Sequence, residues 1–229
     1  MAESTFRARV CFQKSGPLRH LSHLETVHAC GRAARRARLP YAVTKGFSPH
    51  MRIAFGPALP VGTAGLGEYY DLWLRSYIPA CDVLAGLRSA TPANLAPVNV
   101  VYVGERSASL TAALTIARYE VVVEGGEGLS ESLAGSLAAI VAEGVFAVEH
   151  KGKQKVFELA STLPKEPEVS SVEGVTVVRL TTRMGERGSL RPETLVTTAL
   201  AREKLEGRIA SVTRTELLVE EKDSWRSPM

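Results

Sequence analysis

The chain opens on a strict alternation. From Phe6 to Gln13, Phe6, Ala8, Val10 and Phe12 fall on one face and Arg7, Arg9, Cys11 and Gln13 on the other, the two-residue period of a half-buried strand. Ser22 then precedes Glu25 by three residues, a capping box that predicts a helix running to about Arg38 and ending before Leu39-Pro40. Its apolar line of Leu24, Val27, Cys30 or Gly31 and Ala34 is expected to face the sheet, which leaves Arg32, Arg35, Arg36 and Arg38 toward solvent. Thr44 to Pro49 is rich in turn residues, Met51 to Phe55 and Glu68 to Ser76 read as strands, Pro79 to Leu87 as a short helix and Val98 to Val103 as a closing strand. In the strand Glu68 to Ser76, Tyr70, Leu72 and Leu74 share one face and Tyr69, Asp71, Trp73 and Arg75 the other.

The order repeats in the second half. Tyr119 to Glu124 alternates as a strand, and Ser130 to Glu143 carries Leu133, Leu137, Ile140 and Val141 at helical spacing. Lys155 to Leu159 and Val175 to Thr182 read as strands, Pro192 starts a helix to about Lys204, and Ile209 to Glu220 closes the set. Strand, helix, strand, strand, helix, strand twice over predicts an α+β fold of two tandem ferredoxin-like (βαββαβ) domains, 1-105 and 116-222. Element order alone carries this duplication, since the halves share no close sequence repeat. Asp223 to Met229 reads as a frayed tail.

Composition places the 229 residues, 45% hydrophobic and 23% charged, among ordinary globular chains and excludes collagenous or broadly disordered ones. No apolar run approaches the roughly 20 residues of a membrane span, and MAESTFRARV lacks a signal-peptide core, so a cytoplasmic location away from membranes is expected. Cys11, Cys30 and Cys81 are too few for a disulfide framework and form no CxxC pair, so they read as reduced, mostly buried thiols. Charge changes the picture more. Residues 1–60 hold ten Lys/Arg against Glu3 and Glu25, whereas residues 61–229 hold eighteen against twenty-two Asp/Glu. A basic first quarter attracts polyanions, of which nucleic acid is the commonest in a cytoplasm; a solvated helix face is the bland alternative.

The densest polar segment, Lys14 to Glu25, delivers Arg19, His20 and His23 to a helix start, where backbone N–H groups, the helix dipole, Lys14 and Arg19 would hold a phosphate. The GxxxxGK[ST] spacing of a Walker loop is absent, and histidines that merely cap or pack are the competing reading. His20, His23, His28 and Cys30 are badly spaced for a tetrahedral site, so no metal is expected. His20 or His23 beside Ser22 is the sole candidate for acid and base work, without a positioned carboxylate beyond Glu25 or Glu68. Thr44 to Arg52 offers Lys45, His50 and Arg52 around Phe47, the mixture of cations and ring that single-stranded nucleic acid needs, unless Phe47 anchors the loop to the core. Arg7 and Arg9 with Tyr69, Asp71 and Trp73 form either an open stacking face or a face covered by the sibling domain, with Asp71 pairing an arginine; burial of Trp73 between domains is the expectation. In Met184 to Pro192, Ser189 as cap with Arg187 and Arg191 makes a second phosphate contact.

Together, Lys14-x-Gly16-x-Leu18-Arg19-x-Leu21-Ser22-His23-Leu24, the arginine-rich helix before Leu39-Pro40, Lys45-Gly46-Phe47-Ser48-Pro49, Phe55-Gly56-x-x-Leu59-Pro60-x-Gly62, Glu68-Tyr69 and Gly188-Ser189-Leu190-Arg191-Pro192 span nearly the whole chain. In these segments the chain resembles the radical-SAM-linked protein family, a bacterial domain of unknown function. The resemblance implies a radical SAM enzyme as partner. The CxxxCxxC spacing of a radical SAM cluster is missing, so any cluster would sit on that partner and no cofactor is expected here. The tandem layout with a late glycine loop also looks like the RNA-processing endonucleases of CRISPR systems, by architecture alone. The leading expectation is a non-catalytic RNA-binding accessory that presents tRNA or rRNA to a radical SAM enzyme. A metal-independent ribonuclease using His20 or His23, and a pure protein-interaction scaffold, are the alternatives.

Overall fold

A computed structural model of the chain describes residues 5–150, 152–185, 188–222 and 224–229. The fold is α+β, with mostly antiparallel strands and few helices. Two compact units divide it: Met1–Leu114 with Leu217–Met229, and Thr115–Glu216. Among the described residues no helix is long and apolar enough to cross a membrane.

The first unit runs β1 (Phe6–Lys14), α1 (His23–Arg36), β2 (Ile53–Phe55), β3 (Ala64–Leu74), α2 (Ala80–Ser89), β4 (Pro97–Val103) and α3 (Leu110–Ala113). β1 lies antiparallel between β4 and β3, and β2 pairs β3. The register sets Val10 opposite both Tyr70 and Val100, and Ala8 opposite Leu72 and Tyr102, so the alternation of β1 fills one face with apolar side chains. Cys30, Ala33 and Ala34 of α1 and Val83 and Leu87 of α2 complete that core. Burial in it pushes the Cys30 thiol up to about 12, and Cys11 is buried as well; Cys81 is exposed. α1 starts as the capping box requires. The Ser22 hydroxyl accepts from Glu25 N at 3.3 Å, and the Glu25 carboxylate accepts from Ser22 N at 2.8 Å. It ends earlier than the spacing predicts, at Arg36, with Arg38 in the left-handed region at φ 53°. Its buried line is Thr26, Cys30, Ala33 and Ala34, whereas Leu24, expected against the sheet, is 67% exposed.

The second face of β1 and β3 is polar and closed. Arg7 stands opposite Trp73, and Arg9 opposite Asp71. Asp71, 0% exposed, accepts from Arg7 Nε and Nη2 at 3.0 and 2.6 Å and from Arg9 Nε and Nη2 at 2.8 and 3.1 Å. The remaining guanidinium N–H groups reach backbone carbonyls: Arg7 those of Ser107 and Ala108, Arg9 that of Pro228. The arginine expected to pair Asp71 is therefore two arginines. All of these partners belong to the first unit. The tail is likewise not frayed: β11 (Ser224–Arg226) pairs the preceding strand, with Val219 opposite Arg226, and Pro228 is buried.

The second unit holds β5 (Leu114–Gly125), α4 (Leu129–Ala142), β6 (Val145–His150), β7 (Lys153–Glu158), α5 (Leu159–Thr162), β8 (Glu168–Val172), β9 (Val175–Arg183), α6 (Pro192–Arg202) and β10 (Gly207–Glu221) up to Glu216. Its strands lie in the order β10, β5, β9, β8. The segment Lys155 to Leu159, expected inside this sheet, pairs instead with β6 as a separate hairpin, and β8 takes the place beside β9. α4 and α6 pack together, Ser136 Oγ donating to Ala199 O at 2.8 Å between them.

Two outcomes follow for the first unit. Asp71→Ala strands two buried guanidiniums and should cost about 3–5 kcal/mol in chemical denaturation, whereas the loss of an exposed pair would cost about 1 kcal/mol or less. The hydrogen bond from Ser22 N, the Ser22 hydroxyl and the positive charge of Lys14 hold the Glu25 carboxyl below the ordinary glutamate range. A depressed carboxyl stabilises the fold above its unfolded pKa and loses that contribution as pH falls through the folded one. Thermal unfolding of Glu25→Ala should therefore lie below wild type at neutral pH and converge with it in acid; a gap that persists in acid contradicts the capping role.

Candidate nucleic-acid interface

The basic first quarter divides into buried and offered cations. Arg7 and Arg9 are spent on Asp71. Lys14, expected beside a bound phosphate, is 2% exposed, and its ammonium donates to Leu21 O at 2.6 Å, which ties the turn Gly16–His20 to β1. Glu25 places its own carboxylate at the first turn of α1, where the dipole and the free amides would otherwise draw an anion. The segment Lys14 to Glu25 thus answers its charges internally. Arg19 is half-buried and donates through Nε to His20 Nε2 at 3.3 Å, and the ring of the exposed His23 meets Phe55 edge-on at 5.7 Å. A crevice of about 20 Å³ beside them, walled by Lys14, His23, Phe55 and Glu68, has room for about one water. Among the described residues no three His, Cys, Asp or Glu side chains gather as a metal would need.

Arg32, Arg35 and Arg36 are exposed on α1, and none of their side chains makes a hydrogen bond or ion pair among the described residues. Leu24, His28 and Arg35, at spacings of four and seven, extend the same outward stripe. Glu25 is the one acidic residue in α1, so this helix surface is strongly positive.

The loop Thr44–His50 rises beside it. Val43 bridges Met51, Thr44 N donates to His50 O at 2.8 Å, and Thr44 Oγ1 meets His50 Nδ1 at 3.1 Å, which closes the base of the loop. His50 is therefore a loop-closing residue first. The base meets α1 at Gly31, where a Cβ would lie at an ordinary contact distance of 4.0 Å from Met51 Sδ. Gly46 adopts φ 144°, open to glycine, and Phe47 follows at 109% exposure between Lys45 and Ser48, so it anchors nothing. Arg52 is half-buried, its guanidinium 4.4 Å from the Trp73 ring, while Arg7 lies 5.1 Å from that ring. Trp73 Nε1 is buried without a hydrogen-bond partner among the described residues. The ring that looked like a stacking platform is thus occupied by the protein's own cations.

In the second unit, Arg187 lies outside the described residues. Arg191 is exposed at the N-cap of α6, the place expected for Ser189, with Pro192 at the first helical position. A groove of about 290 Å³ over β5 and β9 balances Arg118, Lys165 and Arg179 against Glu120, Glu166 and Glu168, and so offers a polyanion no net attraction. The functional features hardest to see in the sequence are the exposure of Leu24 and the hairpin β6–β7. The first breaks helical periodicity only in three dimensions, and the second is signalled by Gly152 in a two-residue link.

Comparison with known proteins bears on the fold. A chain of a crystallised Cbf5–Nop10–Gar1 complex is 10% identical at a TM-score of 0.52, over 92% of this chain and 48% of that one. This chain thus spans about half the length of its structural neighbour, and the likeness is one of fold. An unknown protein from Galdieria sulphuraria is 19% identical over 94% of this chain and 100% of its own, at a TM-score of 0.27. No curated protein matches the sequence. The family model described as "Uncharacterized protein conserved in bacteria (DUF2344)" matches residues 7–192, from β1 to the first residue of α6, and the chain belongs to that family.

Proposed function

We propose that the chain is an RNA-binding accessory that engages tRNA or rRNA through α1 and the loop Thr44–His50, and presents it to a radical SAM enzyme without cleaving it. The observation that carries this reading is Phe47, a fully exposed ring on a loop whose base, at Met51, meets α1 beside Gly31, while the exposed arginine side chains of that helix stay unpaired. Cations that make no internal pair are available to phosphates, and a ring with no packing role is available to a base. Five of the ten cations of residues 1–60 serve this surface or its margins: Arg32, Arg35, Arg36, Arg38 and Lys45. The radical SAM partner rests on the resemblance of the motif segments alone. Each unit is read as a ferredoxin-like domain. Counting only main-sheet strands (β1 to β4, and β5, β8, β9 and β10), in both units the first lies between the fourth and the third, and the second pairs the third, which supports that reading.

Binding of labelled tRNA across a salt series tests the proposal. Reversal of Arg32, Arg35 and Arg36 to Glu should weaken binding and lower the slope of log affinity against log salt by about 2 to 3. Phe47→Ala should weaken binding of a single strand by about 1–3 kcal/mol with an unchanged slope. Equal affinity of the triple variant and wild type at low salt would make α1 mere solvated surface. Metal-free cleavage of RNA, lost in His23→Ala, would replace this reading with the ribonuclease.

A further inference from the structure

Three rings of the first unit gather where β1 begins and β4 ends. Phe6 continues the apolar alternation of β1, and Tyr102 stands opposite Ala8, so both fall on the helix side of the sheet. Tyr77, between β3 and α2, covers them. Its ring centroid lies 5.2 Å from that of Tyr102 at an interplanar angle of 37°, and 5.7 Å from that of Phe6, edge-on. The Tyr102 hydroxyl donates to Ile78 O at 2.7 Å, which fixes the backbone next to Tyr77. Phe6 and Tyr102 are half-buried against the core, whereas Tyr77 is 61% exposed. A ring braced from behind in this way offers its outer face to a planar ligand with little further loss of side-chain freedom.

Cations flank it. Arg75 N donates to Pro40 O at 2.7 Å and Tyr41 bridges Leu74, so the chain that leaves α1 runs beside the chain that leaves β3. Arg38 and Arg75 are both exposed there, and neither side chain makes a hydrogen bond or ion pair among the described residues. Residues 35–41 and 75–80 contain no Asp or Glu; the next acid along them is Asp82, in the first turn of α2. The other exposed ring, Phe47, stands on the loop whose base meets α1 at Gly31. From Gly31 the helix advances about 8 Å to its end at Arg36. Along the chain, Arg35, Arg36 and Arg38 therefore lie between the approaches to the two rings.

We infer that the RNA this surface takes is a single-stranded segment, with one base on Phe47, another on Tyr77 and the phosphates between them on Arg35, Arg36 and Arg38. The inference rests on the RNA-binding reading and names its class of RNA. Bases in a duplex stack on one another and hide their faces from side chains, so two projecting rings serve an unpaired strand. A proline-rich peptide also packs on aromatic rings, but it brings no negative charge for the arginines to meet.

Binding of the full chain to poly(U), to a poly(A)–poly(U) duplex and to a polyproline peptide tests it. Wild type should prefer the single strand. Tyr77→Ala should lower affinity for poly(U) at least about fivefold with an unchanged salt slope, and should leave duplex binding as it is. Arg38→Gln with Arg75→Gln should instead reduce the slope for poly(U) by about 1.4. Tyr77→Leu, which keeps an apolar contact with Phe6 and Tyr102 but offers no ring, serves if circular dichroism shows Tyr77→Ala misfolded. Folded Tyr77 variants that hold poly(U) as tightly as wild type, or a duplex bound as tightly as the single strand, overturn this inference and leave the α1 surface standing. A polyproline peptide that binds wild type and is lost with Tyr77 overturns it in favour of a protein partner. Wild type that binds neither these RNAs nor tRNA overturns both readings.

Discussion

One buried carboxylate organises the first unit. Asp71 is where two guanidiniums of β1 end, and desolvated charges persist only when paired and hydrogen-bonded. Because Arg7 and Arg9 are held there, their remaining N–H groups fix the backbone at Ser107, Ala108 and Pro228, and the sheet face beside Trp73 is closed. The consequence is functional. A face that carries arginines and aromatics in sequence is withdrawn from any ligand, and the unit's positive charge reaches solvent on the helix side, along α1 and the loop that carries Phe47.

This also explains how much the sequence revealed. The capping box at Ser22 and Glu25, the outward arginines of α1 and the alternation of β1 and β3 are local patterns, and local geometry decides them. The fate of Lys14, Arg7 and Arg9 depends on groups far along the chain, up to Pro228, and no periodicity carries that information. Leu24 fits an apolar helical line, yet it stands largely exposed. β8 escaped because Glu168–Val172 is short and centred on two serines, and becomes a strand only through its pairing with β9. Residue type and spacing sufficed to set Arg32, Arg35 and Arg36 outward on α1, whereas the burial of Lys14 against Leu21 O depends on the turn between them and leaves no periodic signal.

The central claim, that α1 and the Thr44–His50 loop are where RNA lies, is tested most directly by ultraviolet crosslinking of bound tRNA and mass spectrometry of the crosslinked peptides. The account predicts crosslinks in the peptide that contains Phe47 and in those from α1. Robust crosslinking that leaves both untouched, with the modified residues confined to other surfaces of the chain, would contradict it.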